Sequence, residues 1–187
     1  MNPPPSVNLF SPSQDPTYIS HRPSLRTIGM FREITRSQKA LLKEECLEIL
    51  RNEKRGVLSL IGDNGYPYGM PLNHFYNDED GRIYFHSGME GHKVDSFRKD
   101  NKASFCVYDE GYRKEGDWAL NIRSVIVFGR IVEIDDKEEI YRISRLLSHK
   151  FTLDDEYIED EIRKHGYRTL MFALVPEHMT GKIVKES

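Results

Sequence analysis

Residues 66–107 read YPYGMPLNHFYNDEDGRIYFHSGMEGHKVDSFRKDNKASFCV, and the fold turns on how that stretch is parsed. The pattern predicts strand, turn, strand, short helix, strand. Tyr66–Tyr76 is rich in aromatic and apolar residues and carries Pro67 and Pro71. Asp78-Glu79-Asp80-Gly81 is a turn signal, because Gly takes the positive φ that closes many hairpins and Asp bonds its own backbone. Ile83-Tyr84-Phe85-His86 reads as the return strand. Ser87-Gly88 and Gly91-His92-Lys93 then lead into a helical run. A strand ending in Ser and Gly before a helix leaves free backbone N–H groups at the helix start. Those groups and the helix dipole favour an anion, and Lys93 adds a full positive charge. Two readings fit: a corner that holds a phosphate, or a plain β-hairpin capped by a surface helix with Lys93 solvated.

The flanks extend the pattern. Residues 1–29 scatter six prolines among Ser, Asn and Thr, so they predict an extended or disordered arm ahead of a domain over 30–187. Ser37–Glu53 predicts a helix with Leu42, Cys46, Ile49 and Leu50 on one face. Val57–Ile61 is a short strand, and Asp63-Asn64-Gly65 turns it back into the stretch quoted above. After Ala103–Tyr108, the run Trp118–Ile134 is the longest strand-like segment. Within it Gly129 marks a bulge or bend. Two helices follow, Lys137–Lys150 and Asp154–Lys164. The last strand is Thr169–Val175, with Pro176 expected to interrupt it. Six strands arranged mostly as hairpins, with three or four helices, predict a mainly β fold with α: a six-stranded antiparallel split β-barrel decorated by helices. No G-x-G-x-x-G follows a strand, which argues against a dinucleotide-binding α/β fold.

Composition narrows the function. There are 27 basic and 30 acidic residues, a net charge of -3, so no strong pull toward nucleic acid or anionic membrane follows. Cys46 and Cys106 sit among apolar residues and predict buried free thiols in a reducing compartment. No apolar run approaches a membrane span, and the N-terminus lacks the regions of a secretory signal. The expectation is a soluble cytoplasmic protein. His74 and His86 lie on facing strands but lack a third ligand, so no metal site is expected. No G-x-S-x-G elbow exists, and neither Cys has an activating base near in sequence. What remains is the anion corner with aromatic strands beside it, a pairing that suits a planar cofactor carrying a phosphate.

Four segments in order are Gly69–Tyr76, Ile83–Ser87, Gly91-His92-Lys93 and Arg123–Gly129. Together they make the chain resemble the FMN-binding split β-barrel proteins of the pyridoxamine-phosphate-oxidase-like superfamily, closest to the NimA-type 5-nitroimidazole resistance branch. The resemblance spans Phe31 to Lys182. It implies a homodimer with FMN at the subunit interface. Met70, Pro71, Leu72 and Asn73 would line the flavin ring. His86, Ser87, His92 and Lys93 would hold the phosphate corner, with Lys93 as the cation. Arg123 and Ser124 would add polar contacts, and His74 is the candidate catalytic His near the flavin. It also implies an FMN-dependent reductase of small planar acceptors such as nitroaromatics or quinones, with NAD(P)H or a reductase as donor. A non-catalytic flavin- or haem-binding module is the alternative. Pyridoxamine phosphate oxidases carry Arg where this chain has Tyr68-Gly69, and an Arg-x-His signature near the end where this chain has Pro176–Lys182. Vitamin B6 oxidation is therefore not expected.

Overall fold

A computed structural model describes residues 31–186, so the proline-rich arm lies outside the described residues. The chain forms β1 (Arg55–Ile61), β2 (Pro67–Asn73), β3 (Phe75–Tyr76), β4 (Ile83–Gly88), β5 (Lys102–Tyr108), β6 (Tyr112–Arg113), β7 (Leu120–Ile134) and β8 (Thr169–Glu186). Its helices are α1 (Lys43–Asn52), α2 (His92–Lys99), α3 (Lys137–His149) and α4 (Asp155–His165). Six strands are long, as expected; β3 and β6 are two-residue additions.

The sheet runs β2-β1-β5-β7-β8-β4-β3, antiparallel at every pairing, with β6 beside β7. Its two edge strands, β2 and β3, are separated in the chain only by His74. The sheet must therefore curl until its edges meet at that residue. This is the split barrel.

Alternation along the strands fills the inside. Leu58, Phe85, Phe105, Val127 and Phe172 are buried there. α1 and α2 close the barrel with Cys46, Ile49, Leu50, Val94 and Phe97. A second, smaller core sits on the outer face, where α3 lays Ile140 and Ile143 over Tyr84, Met171 and Ala173. β4 and the first half of β8 are thus covered on both sides. That is why Leu170–Leu174 reads as a continuous apolar run with no polar alternation.

Local chemistry places the helices. Asp136 caps α3 by accepting from the N–H groups of Glu138 (2.9 Å) and Glu139 (3.0 Å). Asp154 does the same for α4 through Tyr157. α1 begins later than the spacing predicts. Ser37–Lys39 is only a 3-10 turn, Ala40 is drawn into a bridge with Lys182, and Leu41 N–H donates to Gly181. The helix starts where Glu45 accepts from the Leu42 N–H.

Two further expectations are corrected. Pro176 does not end the last strand: β8 continues to Glu186. The ladder shifts register between Phe128 and Gly129, where Gly129 pairs with Pro176 and Phe128 with His178, and Glu177 is the extra residue. Pro is tolerated at such a bulge because the ladder there demands no N–H. Cys106 is only half-buried, on the outer face, while Cys46 is buried as expected.

The bulge needs Gly129, since a Cβ there would lie 2.1 Å from the Val175 carbonyl oxygen. Gly129→Ala is expected to cost about 2–3 kcal/mol, read as a lowered urea midpoint with unchanged m-value. An unchanged midpoint would mean that the bulge relaxes freely.

Candidate functional site

The seam at His74 creates the site. Before it, Pro67–Asn73 pairs only with β1; after it, β3 pairs with β4 at Phe75↔Tyr84 and Tyr76↔Ile83. Beyond those rungs the edges diverge. Among the described residues, the second side of β2 carries no strand, and neither does β4 from Phe85 to Gly88. Backbone N–H and C=O groups on these edges are left to bond something else. Pro67 and Pro71 blunt the β2 edge against pairing with another strand.

α2 starts at the end of the split. Gly91 precedes it at φ 122°, a conformation that side chains disfavour. Beside Gly88 and Gly91 nothing stands within 4 Å of where a Cβ would be, so the backbone there is open. Lys93 is half-buried, and loss of hydration pulls its pKa down. Its ammonium lies 5.8 Å from the centre of the Phe172 ring. Among the described residues no carboxylate comes within ion-pair distance of it. A desolvated cation without a counter-ion, at a helix start with open backbone, suits an anion. The Ser87 hydroxyl donates to the Gly88 carbonyl at 2.9 Å, so its one proton is engaged there in this structure. His86 stands at a cleft mouth, open to water yet ringed by protein. That crowding, and then Lys93, lower its pKa.

The outer face of β2, β1 and β5 carries a strip of small residues. Register places Gly69, Ser59 and Ser104 side by side across β2, β1 and β5. A Cβ on Gly69 would touch Ser59 Oγ and Val57 Cγ1 at 3.4 Å. Pro71, Val57, Cys106 and Ile126 form the next row. Between Val57 and Phe128 the small residues Gly69, Ser59 and Ser104 let a planar group approach the sheet. Met70 and Leu72 point the other way, into the barrel core, so only their backbone can reach that group.

Other sequence candidates fall elsewhere. His92 turns back toward the β1–β2 turn, stacked on Tyr68 at 4.1 Å and 3.5 Å from Asp63. Arg123 is held by Asp109 at 2.7 Å and Glu48 at 3.2 Å. Ser124 lies on the outer face, paired with Lys182 and Tyr108. Ile134 is level with Met171, which is level with His86, so ten residues of β7, roughly 33 Å of strand, separate Ser124 from that corner. One protomer does not bring the two together.

His74 is fully buried. Its Nε2 sits 3.0 Å from the Leu50 carbonyl, its backbone N–H donates to Lys54, and its ring meets Phe105 edge-on at 4.9 Å. Nδ1 has no partner. Burial, then nearby Lys150, drive the pKa down to about 3. The ring is neutral at ordinary pH, donates through Nε2, and closes the seam against the end of α1, where Lys150 also donates to Leu50. Its ring reaches no solvent in this structure.

Sequence reasoning missed a cavity of about 690 Å3 between α3, α4 and the outer face of β4 and β8. Asn73 and His86 line it, so it adjoins the corner. Its only linear signal is Tyr141, Ser144 and Ser148 recurring at helical spacing beside the apolar face of α3. Among the described residues no cluster of His, Cys, Asp and Glu could hold a metal, and no helix is long and apolar enough to cross a membrane.

The sequence profile described as pyridoxamine 5'-phosphate oxidase matches residues 43–183. No curated protein matches the chain. Among solved structures, one similar fold is a 5-nitroimidazole antibiotic resistance protein, so described with reserve, from Bacteroides thetaiotaomicron. It is 19% identical, with 79% of this chain and 87% of that one covered and a TM-score of 0.64. Another is a FAD-binding protein from Mesorhizobium loti, 22% identical, covering 78% and 97%, TM-score 0.58. A third is a FAD and heme binding protein from Mycobacterium smegmatis, 18% identical, covering 78% and 73%, TM-score 0.61. At such identities the likeness is one of fold alone.

The burial of His74 predicts a pH dependence. The unfolded ring titrates near 6.5 and the folded one near 3. The stabilisation is therefore complete above about pH 6.5 and is lost as pH falls toward 3, by up to about 1.4 kcal/mol per pH unit. His74→Leu should remove that acid-side slope in urea titrations. An equal slope in parent and variant would show that His74 is not the group responsible.

Proposed function

This chain belongs to the pyridoxamine 5'-phosphate oxidase family, and from that premise we propose that it is an FMN-dependent oxidoreductase of small planar acceptors, working as a homodimer. The observation that carries the reading is Lys93: a half-buried ammonium without a carboxylate among the described residues, by the unpartnered edge of β4 and the open backbone at Gly88 and Gly91. Lys93 takes the phosphate, and Ser87 joins it by turning its hydroxyl away from the Gly88 carbonyl. The backbone of Met70 and Leu72, with Pro71 and Asn73, meets the ring. Neutral His86 can donate one N–H at the corner. His74 serves as a positioning residue, fixing Asn73 and Phe75 on either side of the seam. The chemistry FMN supplies when bound is two-electron transfer from a reduced donor such as NAD(P)H to a nitroaromatic or quinone.

Two observations support the dimer. The outer face of β1, β5 and β7 exposes Val57, Ile61, Tyr108 and Phe128, each more than a third accessible. Ser124 lies too far along β7 to serve its own corner, but a two-fold partner can bring its copy there. A module that binds flavin or haem without turnover is the second reading, supported by the description of the Mycobacterium smegmatis neighbour.

Purified protein loaded with FMN should be yellow and dimeric by sedimentation. NAD(P)H should bleach it, and a nitroimidazole or quinone should restore the colour. Bleaching without recovery would favour the module; a colourless protein after loading would end the flavin reading. Lys93→Ala should weaken FMN retention by about 1.5–3 kcal/mol, roughly tenfold to a hundredfold. Because the Lys93 pKa is lowered from 10.5, retention in the parent should fall as pH rises toward that value. A flat alkaline profile would remove Lys93 from the phosphate.

A further inference from the structure

We infer that the cavity between α3, α4 and the outer face of β4 and β8 is a binding site for an uncharged, largely apolar aromatic small molecule. Its volume of about 690 Å3 is ample for such a ligand. Its apolar wall is Ile140, Leu147, Ile158 and Met171, side chains already committed to the core behind them. Tyr157 and Tyr167 stand at its rim, 56% and 76% exposed. Rings held so openly beside an apolar cavity are placed to cover a flat ligand by edge or face. Ser144 and Ser148, one turn apart on α3, offer hydroxyls to a neutral polar atom.

The charged and titratable groups facing the cavity decide what is refused. They are Asp135 and Lys137 before and in α3, Tyr141 on α3, Tyr157, Glu161 and His165 on α4, Tyr167 after it, and His86 on β4. Two carboxylates face one lysine. Glu161 lies 3.8 Å from His165, which spends that imidazole locally. A phosphorylated or carboxylated ring would set its charge against Asp135 and Glu161. A neutral ring meets no such cost. The wall therefore selects against the phosphate-bearing substrate that the family's description names.

The class of ligand follows from the lining alone. Only its part as the reacting acceptor rests on the flavin reading, through Asn73 and His86, which line the cavity and border the proposed ring site.

The test uses the full chain, as purified and after FMN loading, titrated with neutral N-phenylnaphthylamine and with anionic anilinonaphthalene sulfonate. The neutral probe should saturate one site per chain in both preparations. The sulfonate should bind at least tenfold more weakly. Ser144→Trp, which fills the cavity from α3, should weaken the neutral probe at least tenfold while FMN content stays that of the parent. Ser148→Trp serves where the first variant does not fold. Flat fluorescence, equal affinity for both probes, or undiminished binding in the folded variant overturns the inference. Saturable binding by a chain that never takes up FMN keeps the cavity and sinks only the flavin reading.

Discussion

The barrel depends on one closure. A single residue, His74, separates the strand that forms one edge of the sheet from the strand that forms the other. A chain at that position must abandon one partner and take another within about 3.3 Å of rise. It can do so only if something other than a strand fixes it. Here that is the end of α1, whose Leu50 carbonyl accepts from both the His74 ring and Lys150. A helix leaves its last carbonyls unmet, and a seam leaves a side chain free. Each supplies what the other lacks. An aliphatic residue would fill the same space but leave the seam without its bond.

The rest of the architecture follows from where the edges part. Because β2 and β4 separate beyond the seam, backbone on both sides stays unpaired and α2 can insert its apolar face between them. Because α2 begins there, its free N–H groups and Lys93 arrive at the same corner. Because β4 and β8 are covered on both faces, α3 needs a second core of its own. The cavity lies where α3 and α4 cover that face incompletely. The open corner at Lys93 and the cavity meet at His86, which lines the cavity and follows the β4 edge to the corner.

The fold by itself does not choose a reaction. The neighbours that share it carry descriptions as different as drug resistance, FAD binding and haem binding. What distinguishes this chain is local. Gly69, Ser59 and Ser104 stand level across three strands, so that row of the outer face carries only small residues there. The cavity wall carries two carboxylates where a phosphate-bearing substrate would need cations. Both features are matters of a few side chains on a common frame.

Most elements follow from chemistry that acts locally along the chain. The turn residues at Asp78–Gly81, the helix caps Asp136 and Asp154, the bulge at Gly129 and the strand–glycine–lysine succession all act within a few residues of themselves, so their chemistry is legible in the linear chain. The tertiary structure decided the rest. Whether Pro176 ends a strand depends on whether its partner has a bulge opposite, and that partner is Gly129, far away in sequence. Whether His74 faces a ligand or the core depends on where α1 ends. Whether Arg123 is free depends on Asp109 and Glu48. Burial and pairing are properties of residues brought together from distant parts of the chain, and no local pattern encodes them.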